Sequence, residues 1–291
     1  MLARDFIGYY HTSMDGKSHV EMLDGAGTAD RVATAFARAR MARICLGAFP
    51  GEVPVDSAAA YAVQMAQMAR RGERVVGWKV AMVANPFRQA FGDERLSGPV
   101  FESRFVDRRN TMPNTVCDVS DWAVIRGGFA AVEAEFIAVM ACDSPVFGRK
   151  PTPEEAADLI SSLHVGMELA GSPLATINNI GPFATTADCG NNDGVVIGPA
   201  IQNWRTRAIE DLTASISVNG VIEGVGSAAS IKGGPLEAVA FLVDHLERRG
   251  LRLKAGDIVS TGAATGIHKV LPGDAVLADF GPDGQLKMRA V

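Results

Sequence analysis

GGFAAVEAEFIAVMA, residues 127–141, reads as one long strand with two carboxylates on a single face. Side chains alternate along a strand, so Glu133 and Glu135 lie side by side while Val132, Ala134 and Phe136 pack on the opposite face. The flanks AAV and FIAVMA are too apolar for a fully wet strand. Two neighbouring anions repel, and either solvent or a divalent cation relieves the repulsion; paired carboxylates suit a hard ion such as Mg²⁺ or Mn²⁺. Glu168 lies in HVGMELAG (164–171), a second apolar run that reads as a buried strand, where a lone carboxylate is costly. A third oxygen ligand from a second strand fits an octahedral ion with positions left for substrate and water. The alternative is a salt bridge to Lys or Arg, or a protonated acid.

Upstream, VVGWKVAM (75–82) is a β-branched and aromatic run that reads as a buried strand, with Gly77 marking a close backbone approach. Lys79 in its middle either snorkels at a sheet edge or faces an anionic ligand. Before it the chain reads helical. TADRVATAFARARMAR (28–43) spaces Val32, Ala35, Phe36 and Ala39 for one helix face. VDSAAAYAVQMAQMARRG (55–72) has Asp56 or Ser57 as N-cap, Tyr61, Val63, Met65 and Met68 in a core-facing body, and Gly72 as stop. A short helix is expected near 86–91.

Downstream, TPEEAADLISSLH (152–164) opens with a Thr152/Glu155 capping box and reads as a helix. Asn219-Gly220 between alternating runs predicts a two-residue hairpin turn. GGPLEAVAFLVDHLERRG (233–250) is an amphipathic helix with Pro235 in its first turn and Gly250 beyond its end. Short strands follow around GDIVSTG, GDAVLADFG and QLKMRAV. The 31 glycines gather in the second half, where strands and tight turns need them. The division expected is a helical N-terminal portion, 1–72, and an α+β portion rich in strands, 73–291.

Composition removes several functions. With 291 residues, 47% hydrophobic, the chain can bury a sizeable core. Its 28 Lys plus Arg against 33 Asp plus Glu, net −5, supply no basic stripe for nucleic acid. No apolar run approaches a membrane span and the start lacks a signal pattern, so a soluble cytoplasmic protein is expected. The four cysteines form no C-x-x-C pair and read as reduced thiols. There is no P-loop, G-x-S-x-G elbow or H-E-x-x-H, and GAGTAD (25–30) lacks the preceding strand and third glycine of a dinucleotide loop. The five histidines do not cluster, which argues against a zinc site. Asp188, in the turn-rich ADCGNNDG, is either a turn former or an acid with a role in the chemistry.

The ordered set GWKVA, VEAEF, HVGMEL, ADCGNNDGVVIG, KAGDIVSTGAATG and PGDAVLADFG resembles the 2-oxopent-4-enoate hydratase and 4-oxalocrotonate decarboxylase branch of the fumarylacetoacetate hydrolase superfamily, from about residue 56 to the C-terminus. The resemblance implies a mixed β-roll with helices packed outside and a helical N-terminal portion. It implies an Mg²⁺ or Mn²⁺ site whose carboxylates fall on Glu133, Glu135 and Glu168, and 2-oxo or 2-hydroxydienoic acid substrates from aromatic meta-cleavage. Lys79 matches the family's strand lysine, and Asp188 heads the segment that matches a D-N-A-S-like loop, although Cys189-Gly190-Asn191-Asn192 departs from it. Thr261, Gly262 and Thr265 match the turn that contacts substrate, and small residues there let backbone N–H groups reach an anion.

A second departure lies in FGDERLSGPVF (91–101), where Leu96 or Ser97 stands at the place of an aspartate that helps proton transfer in hydratases; Asp93 and Glu94 come a few residues early. The activity implied is hydration, with decarboxylation of a 2-oxo diacid as the alternative and C–C hydrolysis, tautomerisation or a non-catalytic partner role ranked lower. The hydrolases' lid pair has only His11, or His19 with Glu21, to match it. The partners implied are a homo-oligomer and a complex with a related decarboxylase or hydratase, or with a downstream aldolase.

Overall fold

The computed structural model describes residues 18–112 and 115–291. Along the first part run α1 (Ser18–Ala42), α2 (Ser57–Arg71), β1 (Val75–Met82), α3 (Asn85–Phe91), β2 (Arg95–Phe101), β3 (Phe105–Asp107), β4 (Val116–Trp122) and β5 (Phe129–Met140). Then come α4 (Pro153–Asp158), β6 (Ile160–Ser172), α5 (Ile177–Ile180), α6 (Pro182–Ala187), β7 (Asn192–Ala200), β8 (Thr213–Val218) and β9 (Val221–Ser227). The chain closes with α7 (Gly234–Arg248), β10 (Ile258–Ala263), β11 (His268–Lys269), β12 (Ala275–Asp279) and β13 (Gln285–Ala290). His11 lies outside the described residues, as do the side chains of His19 and Glu21.

The strands form two sheets, one in the order β2-β1-β10-β5-β6-β7-β3 with β11 beside β5, the other β4-β13-β12-β8-β9. The first is mixed, with β1 parallel to β10 and β3 parallel to β7 among antiparallel pairs. The even-numbered side chains of β5 point to a core shared with α7 and the second sheet, where Phe136 meets Phe280 edge to face at 5.6 Å. Its odd-numbered side chains point the other way, and there Ala131 packs with Val32 and Phe36 of α1, Val63 of α2 and Ala184 of α6. This is the mixed α+β roll of the expected type, and the helices of residues 18–71 cover one face of its sheet.

Local chemistry accounts for the helix ends. The Asp56 carboxylate accepts from Ala59 N–H at 2.7 Å, and Gly72 closes α2 in a left-handed conformation with its N–H on Met68 O. The buried face of α2 differs from the expected one: Met65 is 38% exposed, while Gln64 and Gln67 are buried, their amides donating to backbone carbonyls of Ser97, Thr186 and Ala187. The capping box at Thr152 and Glu155 forms, but the helix it opens ends at Asp158. From Ile160 the chain pairs with β5, so ISSLH is strand: the sheet ladder outweighs a helical pattern only two turns long. Asn219 (φ 52°) and Gly220 (φ 80°) make the turn between β8 and β9, with Val218 opposite Val221.

Candidate active site

Register brings the carboxylates together. Glu133 on β5 lies directly opposite Glu168 on β6, and Glu135 shares the Glu133 face two residues on. Their ligand oxygens lie within 4.8 Å of one another, and all three side chains are buried. Like charges opposite each other on a sheet are destabilising unless something intervenes. Lys79 on β1 is also buried, with Nζ 3.3 Å from Glu168 Oε1.

Second partners orient two of the three carboxylates. Asn192 Nδ2 donates to Glu168 Oε1 at 2.9 Å. The Ser260 hydroxyl and the Gly262 N–H, the latter at 3.1 Å, both donate to Glu135 Oε2. One oxygen on each glutamate is left over: Glu133 Oε1, Glu135 Oε1 and Glu168 Oε2 are buried without a hydrogen-bond partner. Three orphan oxygens on carboxylates this close together, with one lysine as the adjacent countercharge, fit a divalent cation that prefers oxygen donors.

The electrostatics agree. Burial, then the charge of Glu168, raises the Glu133 pKa from the ordinary 4.5 to about 8, against the pull of Lys79. Burial, then Glu168 and Glu133, holds Glu135 well above the carboxylate range. For Lys79 burial disfavours the ammonium, but the three glutamates outweigh it and keep the amine protonated. Without a counter-ion the protonated forms of Glu133 and Glu135 are favoured, and a doubly charged ion would take the place of those protons.

Lys79 and Glu133 line a cavity of about 420 Å³. Its other walls are residues 80–84 at the end of β1, Asn178, Pro182 and Thr185 of the α5–α6 segment, the Gly190–Asn191 turn, Ser230 and Ile231, and Thr261–Ala263. The close seat of the 189–191 turn depends on glycine. A Cβ on Gly98, which pairs with Lys79, would sit 2.0 Å from Cys189 O. Cys189, Gly190 and Asn191 are all left-handed, with φ of 55°, 66° and 62°, which turns Asn191 toward the cavity with its Oδ1 unpartnered.

The remaining candidates divide. Thr261 and Gly262 line the cavity, but the Thr261 hydroxyl donates to Phe136 O at 2.7 Å and the Gly262 N–H is spent on Glu135, so both fix the walls and the ligand oxygens. Thr265 is outside the lining; its hydroxyl accepts from Ala134 N–H at 3.4 Å. Asp188 is also outside it, fully buried in an ion pair with Arg40 at 2.6 Å and accepting from the Ser172 hydroxyl. Its place is structural: Arg40 also donates to the carbonyls of Asn192 and Gly171, which ties α1 to the strand carrying Asn192. Asp93 pairs with Arg248 and Glu94 with Lys232, and neither lines the cavity, whereas Leu96 does.

The site also uses residues the sequence did not single out: Arg40, Asn192, Ser260 and Asn191. Arg40 follows Phe36 by four residues and Val32 by eight, which places it at the edge of the apolar face of α1, a signal that the reading of the helix's arginines as its polar side passes over. Asn192 has only a weak signal, its place in the polar triplet Asn191-Asn192-Asp193, which Gly194 separates from the apolar run Val195–Ile197.

The family model for the fumarylacetoacetate (FAA) hydrolase C-terminal region matches residues 105–290. A 2-keto-4-pentenoate hydratase of Paraburkholderia xenovorans (strain LB400) is 29% identical over 230 residues, 78% of this chain and 80% of its own length. A 4-oxalocrotonate decarboxylase of Pseudomonas putida is 28% identical over 109 residues, 38% of this chain and 41% of its own. Among solved structures, 4-oxalocrotonate decarboxylase from Pseudomonas putida G7, complexed with magnesium and adipate, shares the fold with a TM-score of 0.73 at 21% identity, covering 91% of this chain and 98% of that one.

Proposed function

The chain belongs to the fumarylacetoacetate hydrolase family, and on that footing we propose that it is a metal-dependent lyase that hydrates short 2-hydroxydienoates and their 2-oxoalkenoate tautomers. The observation that carries the reading is the trio of orphaned carboxylate oxygens in the cluster that Lys79 joins, with Glu133 and Lys79 lining the cavity. Glu133, Glu135 and Glu168 would hold Mg²⁺ or Mn²⁺, which supplies Lewis-acid polarisation of a 2-oxo acid when bound. The protein's own groups do the rest. The Lys79 ammonium presents a fixed positive charge to an enolate oxygen in a buried setting, where such a charge is worth most. Val80, Val83, Leu96 and Ile231 keep the hydrocarbon part of the substrate dry. Asn192, Ser260 and Gly262 hold the carboxylates in place and spare them reorganisation during the reaction.

One observation favours decarboxylation as a second reading. Among the described residues Glu133 is the only acid lining the cavity, because Leu96 or Ser97 stands where hydratases present an aspartate and Asp93 and Glu94 are held in ion pairs. Loss of CO₂ from a 2-oxo diacid needs the enolate stabilised but no activated water.

The experiment is turnover of 2-hydroxypenta-2,4-dienoate and of a 4-oxalocrotonate-type diacid, with Mg²⁺, with EDTA and with Glu135→Ala. Loss of dienoate absorbance with a hydrated 2-oxo acid as product supports the hydratase. CO₂ release from the diacid alone transfers the assignment to the second reading, and metal-independent turnover would sink both. The proposal includes a cytoplasmic homo-oligomer. Exposed Val221, Ile222 and Val225 on the edge strand β9 support self-association, and no helix among the described residues is long and apolar enough to cross a membrane. Light scattering on the purified protein reads the subunit number.

A further inference from the structure

Asn191 brings to the cavity a neutral acceptor for which the described residues supply no donor. It lines the same cavity as Lys79 and Glu133, is 3% exposed, and its Oδ1 is buried without a hydrogen-bond partner. Other contacts hold the residue in that position. Its amide nitrogen donates to Asn178 Oδ1 at 3.3 Å and its backbone N–H donates to Asp188 O at 2.9 Å. Its φ of 62° follows two more left-handed residues, a costly backbone that asparagine tolerates better than most side chains. A Cβ built on Gly190 would stand 3.3 Å from Lys79 Cε, so the turn that carries Asn191 lies against the lysine of the glutamate cluster.

The chemistry of an amide oxygen narrows the occupant. It accepts hydrogen bonds and, unlike a carboxylate, takes up no proton. The carboxylate and ketone of a 2-oxo acid offer only acceptor oxygens, so that end of a ligand leaves Oδ1 unsatisfied. Water or an alcohol satisfies it. The hydroxyls elsewhere in the wall are engaged: Thr185 and Thr261 donate to the carbonyls of Gly181 and Phe136, and Ser230 accepts from Ser227 N–H. In hydration, water and alcohol are successive states of one oxygen. With a 2-oxoalk-3-enoate, the water oxygen bonds to C4, the C3=C4 electron pair shifts to C3 through the enolate, and C3 takes up a proton. The water keeps one proton as the new hydroxyl and releases its other to solvent, which balances the proton gained at C3.

We propose that Asn191 Oδ1 accepts a hydrogen bond from the water that adds to the substrate, and then from the C4 hydroxyl which that water becomes. The inference rests on the hydratase reading above and deepens it by naming the residue that places the water. A ligand without the hydroxyl leaves the buried acceptor unpaired, which gives Asn191 a selective role as well.

Calorimetric titration of the Mg²⁺-loaded protein with each enantiomer of 4-hydroxy-2-oxopentanoate, and with 2-oxopentanoate, which lacks the hydroxyl, tests this without requiring turnover. One enantiomer should bind roughly threefold to tenfold more tightly than 2-oxopentanoate. Asn191→Gly suits the left-handed backbone and removes the amide, and should bring that ratio close to one. Asn191→Asp retains an acceptor oxygen and should keep the ratio above one. A wild-type ratio near one for both enantiomers overturns the proposal even if dienoates are hydrated, as does a ratio that survives Asn191→Gly. Absence of hydration of any dienoate, with the hydroxyl preference intact and lost in Asn191→Gly, would remove the hydratase reading and leave Asn191 standing as the hydroxyl acceptor.

Discussion

Glu133 and Glu168 face each other across two adjacent strands with an orphaned oxygen apiece, an arrangement that is unfavourable until a cation arrives. Metal binding should therefore appear directly as stability. At a hundredfold excess of Mg²⁺ over its Kd, linkage gives about 2.7 kcal/mol. Thermal melts should show a clear rise with Mg²⁺ that EDTA reverses, and Glu135→Ala should abolish the rise; an equal rise in that variant would contradict the site. Asn192 touches no substrate in this scheme but orients Glu168. Asn192→Ala should weaken Mg²⁺ binding by about tenfold to a hundredfold in calorimetry, and an unchanged affinity would show that Lys79 alone suffices to hold that carboxylate.

At the scale of elements, the 189–191 turn is the part of the site most sensitive to shape. It packs on β2 at Gly98, where a Cβ would collide with the backbone at Cys189 O, so Gly98→Ala has no flexible side chain to push aside. The expected cost is roughly 1–3 kcal/mol in urea unfolding, with a fall in kcat because Gly190 lies against the Lys79 side chain. Full stability with lowered activity would mean that the turn yields rather than the sheet. The strands were legible because their signals are local: alternation around Glu133 and Glu135, Asn219-Gly220 at its hairpin, Pro235 and Gly250 around α7. The metal-ligand candidates followed from carboxylates in apolar runs. What stayed hidden depends on distant partners. Asp188 reads as a turn residue or an acid because Arg40, which claims it, lies 148 positions away. Gln64 and Gln67 look like a solvated stripe until the carbonyls they cap are in place. The helix expected through Ser161 and Ser162 is strand because β5 lies alongside it.

For the molecule as a whole, acid is a specific threat. His245 on α7 is buried against Tyr61 and Phe241; burial first, then Arg249 and Arg248, lower its pKa from 6.5 to about 3. The unfolded chain takes up this proton near pH 6.5, whereas the native one resists until about 3, so the contribution is fully present above 6.5 and is lost as pH falls from 6.5 towards 3. The urea midpoint should drop through that window, and His245→Gln should flatten the drop by roughly 1–3 kcal/mol at pH 4; parallel curves for the two proteins would exclude His245 as the cause. The buried Arg40 and Asp188 pair sets a second limit. Arg40→Met leaves an unmatched carboxylate among apolar neighbours and should destabilise by about 3–5 kcal/mol in the same assay, and a loss below 1 kcal/mol would show that Asp188 simply takes up a proton.

Arg40 also bears on the order in which the protein is assembled. The strands bearing the three glutamates are neighbours in the chain and pair as a hairpin, a local event. The clamp that fixes Asn192, and through it Glu168, closes over a separation of 152 residues. Long closures are late closures, because entropy must be lost before any contact returns it. During synthesis α1 leaves the ribosome early and must wait for β7 before its arginine has anything to hold. The ion's coordination shell is thus completed only when segments far apart in the sequence meet, and in refolding Mg²⁺ capture should lag behind the appearance of sheet.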